Sequence, residues 1–171
     1  TIEEAQRQGK INDLKQQLWT LRLYSQYPHD LGVLSTYLLN LICLRPGQAM
    51  YLPAGELHAY LGKLNPNTKD EGASIELMSN SNNVLRGGLT PKHIDVAELL
   101  DVLTFESGEV NVLAPQPRSE AEKVYITPAK EFELSVIEVD KDKVFTSEAM
   151  HSADALIVLE GETELTDAKG N

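Results

Sequence analysis

One segment of the chain combines two turn signals with a histidine, an arrangement that is typical of metal sites in small β-barrels. Residues 45–47 (Arg-Pro-Gly) predict a turn, a short apolar stretch follows, and residues 53–55 (Pro-Ala-Gly) predict a second bend ahead of His58. A neutral imidazole is a common zinc ligand. A lone histidine on a strand is more often structural, however, and any metal here needs its other ligands from elsewhere. The segment by itself therefore leaves both roles open.

Two motifs give the chain a specific resemblance. Residues 53–61 read Pro-Ala-Gly-Glu-Leu-His-Ala-Tyr-Leu, and residues 76–92 read Glu-Leu-Met-Ser-Asn-Ser-Asn-Asn-Val-Leu-Arg-Gly-Gly-Leu-Thr-Pro-Lys. Joined in this order, they resemble the type I mannose-6-phosphate isomerases, also called phosphomannose isomerases. The resemblance is strong over roughly residues 38–103 and weaker on either side.

The chemistry of such an isomerase explains which groups the motifs must supply. Aldose to ketose isomerisation moves a proton between adjacent carbons through an enediol, so the site needs a base, a group that polarises the sugar oxygens, and a cation. The resemblance implies that His58 is a zinc ligand, and that a glutamine, a histidine and a glutamate from an amino-terminal part complete the set. It also makes Arg86 the catalytic arginine that stabilises the enediolate. An ordinary surface arginine paired with a carboxylate is the alternative.

Three further residues match positions that line the family's active site. Glu76 is a candidate for proton transfer or for orienting other groups, and Lys92 for binding substrate oxygens or tuning a neighbour's pKa. Tyr60, two residues after His58, would face the same side of an extended strand and could bind the sugar. A solvated charge or a half-buried ring remains the alternative for each. Asn82 departs from the family, whose members usually have aspartate there.

We interpret the chain as part of a zinc-dependent mannose-6-phosphate isomerase that interconverts mannose 6-phosphate and fructose 6-phosphate. The alternative is a non-catalytic sugar-binding or regulatory cupin, which is favoured by Asn82 and by a polar loop over residues 62–72 that is longer than in most relatives. A different cupin enzyme, such as an oxygenase, would usually offer a His-x-His pair for iron. No His-x-His occurs in these 171 residues.

The composition is that of a globular protein and disfavours several partners. Of the residues, 42% are hydrophobic and 24% are charged, and the formal net charge of −11 argues against nucleic acid or an anionic membrane as a partner. The expected partner is a phosphorylated hexose, and the oligomeric state is unknown. The single cysteine, Cys43, lies in an apolar run and is predicted to be buried and inert. No signal-peptide pattern or membrane span is visible, which favours a cytoplasmic location.

The predicted fold is mainly β: a cupin-type jelly-roll barrel with flanking helices and the start of a second cupin-like β-domain. Ile11, Leu14, Leu18 and Leu21 recur at helical spacing and predict an amphipathic helix from residue 10 to about 25 that buries this apolar stripe. The resemblance makes this helix the end of a helical domain over residues 1–26. Residues 27–113 are then part of the catalytic barrel with its following helix, and residues 114–171 are a truncated second β-domain. The ends of the chain indicate a fragment of a longer enzyme.

Smaller elements complete the prediction. Thr90 followed by Pro91 predicts the start of a helix that runs to about residue 103. Alternating residues over 131–136, 155–161 and 162–166 predict strands of the second β-domain, with a turn at residues 141–143. His93 falls in the first turn of the predicted helix, where nothing recruits it as a ligand.

Overall fold

The computed structural model describes residues 10–63, 67, 72–81, 84–147 and 153–167. The chain divides into two compact units, Thr1–Ile137 and Glu138–Asn171. The described strands of the first unit form two small antiparallel sheets, which together with a few helices are compatible with the predicted mainly β fold. These strands do not close into a barrel, and the predicted domain boundaries at residues 26 and 113 stay predictions.

The first helix, α1, confirms the helix predicted near the amino terminus. It spans Lys10–Gln26 and is followed by a 3₁₀ helix, Leu31–Leu34, and a short helix α2, Ser35–Leu38. Leu23 is only 2% exposed and forms the core of this part with Val33. No helix among the described residues is long and apolar enough to cross a membrane.

The apolar stripe predicted for α1 is not the face that packs. Leu14, Leu18 and Leu21 are all exposed, whereas Leu23 lies in the core. The contact with α2 is made through a hydrogen bond between the hydroxyl groups of Thr20 and Thr36. Thr36 is 4% exposed, so this polar pair lies on the side of α1 that faces inward.

The strands follow a simple antiparallel topology. Strand β1, Ala49–Met50, pairs with β2, Val112–Leu113. Strands β3 (Gln116–Pro117), β4 (Glu122–Tyr125) and β5 (Leu134–Ile137) form a three-stranded meander. The predicted strand at residues 131–136 thus corresponds to β5, while β2 and β3 lie between residues 112 and 117, where no individual strand is predicted.

An ion-pair cluster links the three strands of the meander. The Arg118 guanidinium lies 3.1 Å from a carboxylate oxygen of Glu122 and 2.7 Å from one of Glu133. Its hydrogen bond to Glu133 is the main reason that the pKa of that carboxyl is lowered below its usual value. The charged form of Glu133 therefore helps to hold the edge of β5 against the β3–β4 turn.

The helix that follows the second motif begins later than predicted. Helix α3 spans Val96–Val102, and its amino-terminal cap is Asp95, whose side chain accepts a hydrogen bond from the Glu98 amide at 3.1 Å. Thr90 does not cap a helix, because its hydroxyl accepts a hydrogen bond from the Lys92 amide in a local turn. Aspartate is at least as good a cap as threonine, so the cap nearer to the apolar stripe sets the start of the helix.

Several predicted strands lack regular pairing. Residues 56–63 and 84–87 belong to neither a helix nor a regular strand, so His58 lies on an irregular segment rather than on the predicted strand. Residues 155–166 in the second unit show the same lack of strand pairing, with only a bend at residues 160–161. Their apolar side chains, such as Leu159, are largely exposed. Strand hydrogen bonds need a neighbouring strand, and the described residues provide none there.

The apolar run around Cys43 is also more open than expected. Tyr37 and Leu38, at the start of this run, belong to α2, and Cys43 is exposed, so its predicted burial is wrong. The run does not pair with a strand on either side, which leaves its side chains at the surface.

Two turns that contain glycine precede His58 and set the path of its segment. Gly47 (φ +78°) completes the first predicted turn, where the Gln48 amide donates to the Arg45 carbonyl at 2.9 Å. Gly55 (φ +87°) completes the second, and its carbonyl accepts a hydrogen bond from the Thr104 amide at 3.2 Å. Both predicted turns are confirmed, and the second is tied to the chain just after α3.

These glycines allow a matched stability test. A methyl group at Gly55 would lie 2.8 Å from Thr104 Cγ2 and 3.0 Å from the Val102 carbonyl, whereas one at Gly47 would meet nothing within 4 Å. Both substitutions strain the backbone by about 1–3 kcal/mol because φ is positive. Overpacking adds about 1–3 kcal/mol at Gly55 alone. We expect Gly55→Ala to lower the urea midpoint clearly more than Gly47→Ala, and equal midpoints would contradict the close packing.

Candidate functional site

The two motifs meet at His58 and Glu76. The Nε2 atom of His58 lies 3.8 Å from a carboxylate oxygen of Glu76, and both side chains are about half exposed. The distance is too long for a hydrogen bond, but it leaves the Glu76 carboxylate next to the ring. A cation held at Nε2 would therefore lie close to the negative charge of Glu76.

The protonation of the His58 ring follows from its other contact. Its Nδ1 atom lies 3.2 Å from the backbone carbonyl of Glu56. A carbonyl can only accept a hydrogen bond, so this contact places a proton on Nδ1, and in the neutral ring the lone pair is then on Nε2. Metal-binding histidines are commonly oriented in this way, with the second nitrogen donating to a carbonyl or carboxylate. The local geometry thus fits a zinc ligand, although the described residues contain no cluster of three or more histidine, cysteine or acidic side chains.

Tyr60 belongs to the same group of side chains. Partial burial of its hydroxyl is the largest cause of a raised pKa, the negative charge of Glu76 adds to it, and a hydrogen bond with the Ser74 side chain opposes it. The residue as a whole is 68% exposed, so the ring remains open to a ligand while its hydroxyl stays protonated at neutral pH. Tyr60 can therefore act as a hydrogen-bond donor beside His58 and Glu76.

The coupling between Tyr60 and Glu76 can be measured directly. We expect Glu76→Gln to lower the pKa of Tyr60 towards its usual value of 10.0, because the substitution removes the neighbouring negative charge. Ultraviolet difference titration against a Tyr60→Phe background isolates this one tyrosine. The control is Glu56→Gln, which removes a nearby carboxylate that does not perturb Tyr60. An unchanged pKa in Glu76→Gln would contradict the coupling.

The same shift predicts a pH effect on folding. The pKa of Tyr60 is raised in the folded protein. The contribution of the protonated hydroxyl to the free energy of unfolding is therefore complete below pH 10.0, and it is lost as the pH rises through the pKa of the folded state.

Arg86 and Lys92 lie on a neighbouring segment rather than in this group. Arg86 is exposed, and the residue after it, Gly87, packs directly beneath Leu57, since a methyl group there would lie 2.5 Å from Leu57 Cδ1. Leu57 immediately precedes His58, so the Arg86 segment runs beside the His58 segment. Among the described residues, no hydrogen bond or ion pair joins the side chain of Arg86 or Lys92 to His58, Tyr60 or Glu76.

The structure thus brings together three of the five predicted site residues and places the other two on an adjacent segment. Two contributors were not predicted from sequence: the Glu56 carbonyl and the Ser74 hydroxyl. A backbone carbonyl leaves no trace in the residue type, and a serine in a polar stretch has no distinguishing pattern. Asn82 and most of the 62–72 loop lie outside the described residues.

Comparison with known proteins identifies several relatives of this chain. It is 42% identical to a probable mannose-6-phosphate isomerase of Dictyostelium discoideum over 124 residues, which are 70% of this chain and 25% of that protein. It is 41% identical to the mannose-6-phosphate isomerase of Escherichia coli (strain K12) over 149 residues, 85% of this chain and 35% of that protein. The enzyme of Cryptococcus neoformans is 37% identical over 164 residues, 93% of this chain and 36% of the relative.

The relatives are much longer than the chain, which spans between 25% and 36% of their length. No family model matches the chain, and no solved structure matches it significantly. The matched relatives come from a bacterium, a fungus and an amoeba, and all three have the same name. Over the segment that it spans, the chain therefore belongs to the mannose-6-phosphate isomerase family.

Proposed function

We propose that this segment carries part of the active site of a zinc-dependent isomerase that interconverts mannose 6-phosphate and fructose 6-phosphate. The observation that carries the proposal is the group formed by His58, Tyr60 and Glu76, which comes from two separate motifs in a chain similar to known isomerases. We further propose that the short sheets belong to a cupin-type barrel that is completed by residues of the full-length protein.

Each residue has a defined task in this reaction. His58 would hold zinc through Nε2, and zinc when bound would act as a Lewis acid on the sugar oxygens. Glu76 is positioned next to that imidazole to accept or return a proton. The Tyr60 hydroxyl remains protonated and can donate a hydrogen bond to a sugar oxygen.

The cations act on negative charge in the substrate. Arg86 is exposed beside the His58 segment and keeps its charge at any working pH, so it can stabilise the enediolate as charge develops. Lys92 is exposed six residues further along the chain and can bind substrate oxygens. In a chain with a net charge of −11, these two cations form a local positive site that can attract a phosphorylated hexose.

The test is the zinc content of the full-length protein together with its rate of conversion of mannose 6-phosphate to fructose 6-phosphate. The proposal expects bound zinc and turnover that is lost on chelation and restored by zinc. Bound zinc and sugar without turnover would instead identify a non-catalytic sugar-binding cupin, which is the alternative that Asn82 favours. Turnover that survives complete removal of zinc would contradict the role given to His58.

A further inference from the structure

Asp30 makes two hydrogen bonds that join distant parts of the first unit. Its Oδ1 atom accepts from the Gly32 amide and its Oδ2 atom accepts from the Leu89 amide, each at 2.7 Å. Both bonds are partly buried, and charge-assisted hydrogen bonds of this kind are stronger than neutral ones. Asp30 is thus the cap of the 3₁₀ helix and, at the same time, the anchor of a segment 59 residues further along the chain.

The backbone around this contact is closely packed. A methyl group at Gly32 would lie 3.2 Å from the Leu89 nitrogen, and one at Gly88 would lie 3.3 Å from the Gly32 Cα atom. Leu89 itself has φ +53°, a conformation that leucine rarely adopts. A strained conformation persists only where its surroundings impose it, and the carboxylate of Asp30 is the group that binds its amide.

The anchor itself is firmly held. The Asp30 amide donates to the Tyr27 carbonyl at 3.2 Å, and the Tyr27 amide donates to the Leu23 carbonyl at 2.8 Å. Leu23 belongs to the core under α1. The carboxylate of Asp30 therefore fixes the Leu89 backbone relative to the core under α1.

Leu89 lies midway between Arg86 and Lys92 in the chain. We propose that Asp30 is a positioning residue that sets the location of both cations, through the Leu89 amide, relative to the His58 segment. The inference rests on the proposed function. Asp30 lies outside both sequence motifs, touches neither cation, and acts only through the backbone that connects them.

The experiment compares Asp30→Ala and Asp30→Asn in the full-length, zinc-loaded protein, with Asp95→Ala as the matched control. Asp95 also caps a helix through its carboxylate, but it caps α3 and does not bind the Leu89 amide. We expect Asp30→Ala to lower kcat about 10- to 100-fold while zinc content is unchanged, because a misplacement of about 1 Å caused far from the chemistry can cost about 100-fold. Asp30→Asn keeps one acceptor oxygen and should fall between Asp30→Ala and the wild type. Asp95→Ala should keep the wild-type kcat per folded molecule.

Hydrogen exchange supplies a readout that does not depend on turnover. The peptide that contains Leu89 should exchange faster in Asp30→Ala than in the wild type, and at the wild-type rate in Asp95→Ala. Wild-type kcat in Asp30→Ala, or equal losses in Asp30→Ala and Asp95→Ala once the folded fraction is corrected, would overturn the positioning role. A wild-type protein without turnover would overturn the proposed function instead, while the exchange of Leu89 still decides whether Asp30 holds this segment.

Discussion

His58→Ala is expected to remove zinc from the full-length protein and, with it, the isomerase activity. The substitution deletes the imidazole whose Nδ1 atom contacts the Glu56 carbonyl and whose Nε2 atom is the proposed zinc ligand. Loss of a partner that merely supports a ligand typically weakens metal affinity 10- to 100-fold. Deleting the ligand itself should therefore weaken zinc affinity by at least about 100-fold, and turnover should fall with zinc occupancy.

Zinc content by elemental analysis and turnover with added zinc are the two measurements. His93→Ala is the control, because His93 is also an exposed histidine near the second motif, and among the described residues it forms no hydrogen bond or ion pair with His58, Tyr60 or Glu76. We expect this control to bind zinc as the wild type does. Undiminished zinc affinity in His58→Ala would show that the imidazole is structural and that the metal, if bound, is held by other residues.

Arg86→Ala is expected to give the opposite pattern, with zinc retained and turnover lost. Removing a group that stabilises developing negative charge typically lowers kcat about 100- to 1000-fold. Because the interaction strengthens in the transition state, KM should change much less than kcat. Arg86→Lys keeps the charge but not the planar, two-pronged geometry, so it should recover only part of the lost rate.

Arg45→Ala serves as the control for this experiment. Arg45 is an exposed arginine at the turn before β1, and its removal changes the net charge of the protein by the same amount. Wild-type turnover in Arg45→Ala and a large loss in Arg86→Ala would separate a local role from a general charge effect. If Arg86→Ala lost zinc as completely as His58→Ala, the arginine would instead support the metal-binding segment.

Local signals in the sequence predicted the local parts of the fold. The helix α1 and the glycine turns at residues 47 and 55 are confirmed, because helical spacing and positive φ are properties of a few consecutive residues. The turn at Lys141–Asp142 is confirmed for the same reason. The buried face of α1 was predicted wrongly, because that face depends on which distant residue, here Thr36, packs against the helix.

In the candidate site, too, local sequence signals were informative and contacts between distant residues were not. The resemblance of the two motifs made His58, Tyr60 and Glu76 candidates, and the structure places these three side chains together, while their roles stay predictions. Asp30 was not identified, since its partner is 59 positions away and its own surroundings, Tyr-Pro-His-Asp, look like an ordinary turn. Contacts over such distances depend on the whole fold, and a single sequence has no local pattern that encodes them.

The turn at Gly47 has a consequence for how the protein is made. Its carbonyl accepts a hydrogen bond from the Tyr125 hydroxyl at 3.0 Å, a partner 78 positions later in the chain. At a synthesis rate of roughly 5–20 residues per second, the ribosome needs about 4–16 s to add that partner after Gly47. During this interval the turn that precedes the nascent His58 segment lacks the tyrosine hydroxyl that will bind its carbonyl.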